Sequence, residues 1–68
     1  MEEGWTCVYS AADEFHALLI KEILEDHDLP ASLINKKDNN AFLIGDYEVY
    51  VPSDVVIKAI QIIKASEI

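Results

Sequence analysis

The chain has 68 residues, thirteen of them acidic and five of them lysine, with no arginine and a formal net charge of −8. That balance leaves too few cations to displace counterions from phosphates, which excludes a nucleic-acid binder and disfavours an anionic membrane surface. One cysteine excludes an internal disulfide, and no apolar run approaches the ~20 residues that cross a bilayer.

With 51% hydrophobic and 26% charged residues, the composition is that of a folded single domain over residues 1–68. So short a chain buries only about 60% of its unfolded surface, so its core is small. The start Met1-Glu2-Glu3-Gly4 is acidic and no apolar signal-peptide region follows, so the expected compartment is the cytoplasm.

Residues 5–9, Trp-Thr-Cys-Val-Tyr, are aromatic and β-branched and predict a first strand. Plain alternation puts Trp5, Cys7 and Tyr9 on one face and Thr6 and Val8 on the other. Ser10-Ala11-Ala12-Asp13 has capping-box spacing, so a first helix is expected from about Ala11 to His27. Its apolar arc is Ala12, Phe15, Leu19, Ile20, Ile23 and Leu24, with Glu14, Lys21, Glu25 and Asp28 opposite. Ala17 is small enough for a close approach to a sheet. Asp28 is the candidate for positive φ after the last turn, and Pro30 keeps the helix from resuming.

Ala31–Asn35 predicts the second strand, and the polar run Lys36–Asn40 a loop. Ala41–Ile44 is either an early part of the third strand, interrupted by a bulge at Gly45, or a packed loop; the hairpin is favoured. Tyr47-Glu48-Val49-Tyr50-Val51 alternates as a strand, with Tyr47, Val49 and Val51 on one face and Glu48 and Tyr50 on the other. Pro52 ends it, Ser53 is placed to cap, and Asp54 sits in a first helical turn. The second helix is expected from Asp54 to about Ala65. Val55, Val56, Ala59, Ile60, Ile62 and Ile63 form its core face, and Ile57 falls on the polar side.

The order β-α-β-β-α predicts an α+β fold. A crossover between strands one and two and a hairpin between strands two and three are both satisfied by a three-stranded sheet of order 1-3-2 with both helices on one face. This is a ferredoxin-like half-sandwich without its last strand. The outer edge of strand one is then unpaired, an exposure that a homodimer or a folded-back C-terminus would cover.

The same residues carry a resemblance. Val8-Tyr9-Ser10 opens the pattern; Ala17, Lys21, Leu24 and Glu25 follow on the helix, with His16 where glutamate is common. Leu29, Ala31 and Leu33 come next, and Glu48, Val49, Val51, Pro52, Asp54 and Ala59 close it. In their order and spacing, over nearly the whole chain, these resemble a small bacterial family labelled as a prokaryotic signal-transducing protein, a domain of unknown function. The stretch Asn35-Lys36-Lys37-Asp38 and the Trp5 start are like its Bacteroidetes members. The resemblance implies a ferredoxin-like fold similar to the PII nitrogen-regulatory proteins, and a regulatory role. The chain departs from the family at Asp28, where glycine is usual. It has no counterpart of the long nucleotide-binding loop of PII proteins or of their basic phosphate-binding residues.

No set of residues reads as catalytic, so no enzyme activity and no cofactor is expected. His16 and His27 are too far apart for an i, i+4 metal pair, and adjacent residues in Glu25-Asp26-His27-Asp28 point in different directions, so no metal site is expected. Cys7 has no basic neighbour and reads as a buried packing residue. Two functional readings follow. The first is a non-enzymatic protein-interaction module that self-associates or docks a partner through Trp5, Tyr9, Tyr50 and Ile57. The second is a small-ligand sensor using the loop of Asn35, Lys36, Lys37, Asp38 and Asn39, whose lysines and amides could meet an anionic or polar ligand.

Overall fold

The computed structural model describes residues 4–35 and 47–66. Four elements match the expected order: strand β1 (Trp5–Ala11), helix α1 (Glu14–Asp26), strand β2 (Ser32–Asn35) and strand β3 (Tyr47–Pro52). A 3-10 turn at Ser53–Val55 then leads into helix α2 (Val56–Ser66). The sheet order is β1-β3-β2, and β3 runs antiparallel to both neighbours. This is the α+β half-sandwich expected from the pattern. The expected strand or loop at 41–44 and the bulge at Gly45 lie outside the described residues.

Val49 and Val51 in the central strand are fully buried, and one core cluster joins them to Ala17, Ile20, Leu24, Ala59 and Ile63 from the two helices. Both helices therefore cover the same sheet face, and they also touch each other. Ala17 and Ala59 are fully buried, so each lets its helix approach its neighbours closely.

Local expectations are corrected at several positions. First, β1 continues to Ala11, where Ser10 pairs with Glu48 and Ala11 with Tyr47. Ser10 is thus held in the sheet and does not cap α1. Asp13, extended at φ −126°, takes the N-cap position instead. Second, a bulge sits between Cys7 and Tyr9: Cys7 faces Tyr50 and Tyr9 faces Val49, with Val8 as the extra residue. Cross-strand partners share a face, so the bulge moves Tyr9 to the helix side with Val49, while Trp5 and Cys7 stay on the opposite side with Pro52 and Tyr50. Cys7 is exposed, not buried, and its thiol donates to the Tyr9 carbonyl at 3.4 Å.

Third, Ser53 is the first residue of the 3-10 turn, whose N-cap position is taken by Pro52. Its hydroxyl meets the Thr6 hydroxyl at 2.7 Å, and its N–H donates to the Gly4 carbonyl. These two bonds tie the start of β1 to the corner after β3. Gly4 reaches that position at φ 87°, which a side chain would strain.

The end of α1 follows the sequence closely. Asp28 has φ 64°. Its N–H donates to the Glu25 carbonyl, and the Leu29 N–H reaches back to Leu24, each at 3.0 Å. This pair of bonds is the Schellman motif, and the buried contact expected with it joins Leu29 and Leu24 in the core.

Candidate functional site

The sheet covers less of α1 than its apolar arc offers. At about 100° per residue, a helix lying on a sheet buries one stripe. In α1 that stripe is Ala17, Ile20 and Leu24, with Ile23 beside it. Two residues expected in the core, Phe15 and Leu19, turn outward together with Leu18; Ala12, just before the helix, is also exposed. In α2 the buried stripe is Ala59 and Ile63, flanked by Val56 and Ile62, and Ile60 turns outward beside Ile57.

The outer surface of the helix layer is consequently apolar at five positions. Phe15 is 68% exposed, Leu18 40%, Leu19 45%, Ile57 75% and Ile60 40%. Because both helices cover one sheet face, these residues all stand on the helix layer of the molecule. The charges around them differ by helix. Glu14, Glu22, Glu25 and Asp26 are exposed on α1, whose single cation, Lys21, bonds Glu25 at 3.0 Å. Helix α2 exposes Lys58 and Lys64 and contains no acidic residue.

At the start of α1, the His16 ring nitrogen Nδ1 and the Asp13 carboxylate lie 2.6 Å apart. That hydrogen bond, and secondarily the charge of a protonated ring, hold the Asp13 pKa below its ordinary value. The pair borders an open hollow of about 560 Å³ lined by Tyr9, Ser10, Ala11, Ala12, Asp13 and His16. The Phe15 ring meets the His16 ring edge-on at 5.6 Å. His27 is turned back on its helix, with Nδ1 2.9 Å from the Ile23 carbonyl.

The sequence-expected interaction residues are dispersed over both faces. Trp5 and Tyr50 lie on the sheet face away from the helices, where the Tyr50 hydroxyl donates to Glu48 at 2.8 Å. Tyr9 packs partly against the core on the other side, and Ile57 stands on the outer surface of α2. Of the expected ligand loop, Asn35 is exposed at the end of β2, while Lys36, Lys37, Asp38 and Asn39 lie outside the described residues. Sequence reasoning missed Phe15, Leu18, Leu19 and Ile60 as surface residues. The available signal was the width of the apolar arc, broader than one sheet can cover.

No helix among the described residues is long and apolar enough to cross a membrane. Comparison with protein-family models, curated proteins and solved structures gives no match.

Proposed function

We propose that this chain is a non-enzymatic, cytoplasmic protein-interaction module, a small regulatory adaptor that docks through the outer surface of its helix layer. The observation that carries this reading is the set of five large apolar side chains, Phe15, Leu18, Leu19, Ile57 and Ile60, exposed on the two helices of so small a domain. Exposed apolar side chains gain free energy when a partner removes them from water. The exposed Cys7 thiol suits a reducing compartment. The resemblance to a small signal-transducing family supports a regulatory use.

The test is retention from cell extract on immobilised protein, wild type against the double variant Phe15→Asp, Ile57→Asp. Proteins held by the wild type, its own kind included, should be lost from the variant. Identical retained sets would remove the basis of the reading.

A further inference from the structure

We draw no further inference here: the strongest candidate, the outward side of the helix layer at Phe15, Leu18 and Leu19 of α1 and Ile57 and Ile60 of α2, already carries the proposed docking, and nothing in the structure shows what covers it.

Discussion

At the scale of single residues, two positions at the ends of α1 set local chemistry. Asp28 occupies a left-handed conformation at φ 64°, where glycine carries no Cβ penalty. Asp28→Gly should therefore be neutral or stabilising by up to ~1 kcal/mol in urea unfolding. Asp28→Val should destabilise, because a branched side chain is strained at positive φ. At the other end, Asp13 holds the N-cap position but makes no side-chain cap to the backbone, and its carboxylate is bonded to His16 instead. A carboxylate with a depressed folded pKa contributes stability above its unfolded pKa, and that contribution is lost as pH falls through the lower folded value. His16→Ala should move the Asp13 carboxyl titration upward toward its ordinary value. An NMR titration with no upward movement would show that His16 is not the cause.

At the scale of elements, α1 packs closely into a small core. Ala17 and Leu24 are both fully buried. Leu24→Ala should lose ~2–5 kcal/mol through lost transfer energy and the cavity left behind. Ala17→Leu should lose ~1–3 kcal/mol, because the helix would have to lift from its neighbours. Denaturant midpoints unchanged in both would refute this packing. The half-exposed Lys21–Glu25 pair contributes no more than a few tenths of a kcal/mol, so the helix is held by its buried stripe, not by its surface charges.

At the scale of the whole molecule, two layers leave each helix with one face against the sheet and one against water. The double variant Phe15→Ser, Leu19→Ser tests whether those outward residues contribute anything inside the monomer. Exposed as they are, they should change monomer unfolding free energy by only about 0.5 kcal/mol each, while concentration-dependent rises in Tm, if the wild type shows them, disappear. A loss of several kcal/mol at low protein concentration would mean that these side chains support the fold itself.

The sequence by itself determined the order of elements, the sheet order 1-3-2, the buried alternation of Val49 and Val51, and the αL end at Asp28. Each depends on local stereochemistry or on connection rules that act within one or two neighbouring elements. Only the tertiary structure decided the faces. The bulge at Val8 depends on how β1 matches β3 across 40 residues of chain, and it alone turned Tyr9 inward and left Cys7 with Tyr50 on the other side. The rotation of α1 depends on which small residue lets the helix sit closest to its neighbours. Ala17 set that line, and the apolar arc was too broad to reveal it. Burial is a relation between elements, so the residues that became surface could be read only once the elements had met.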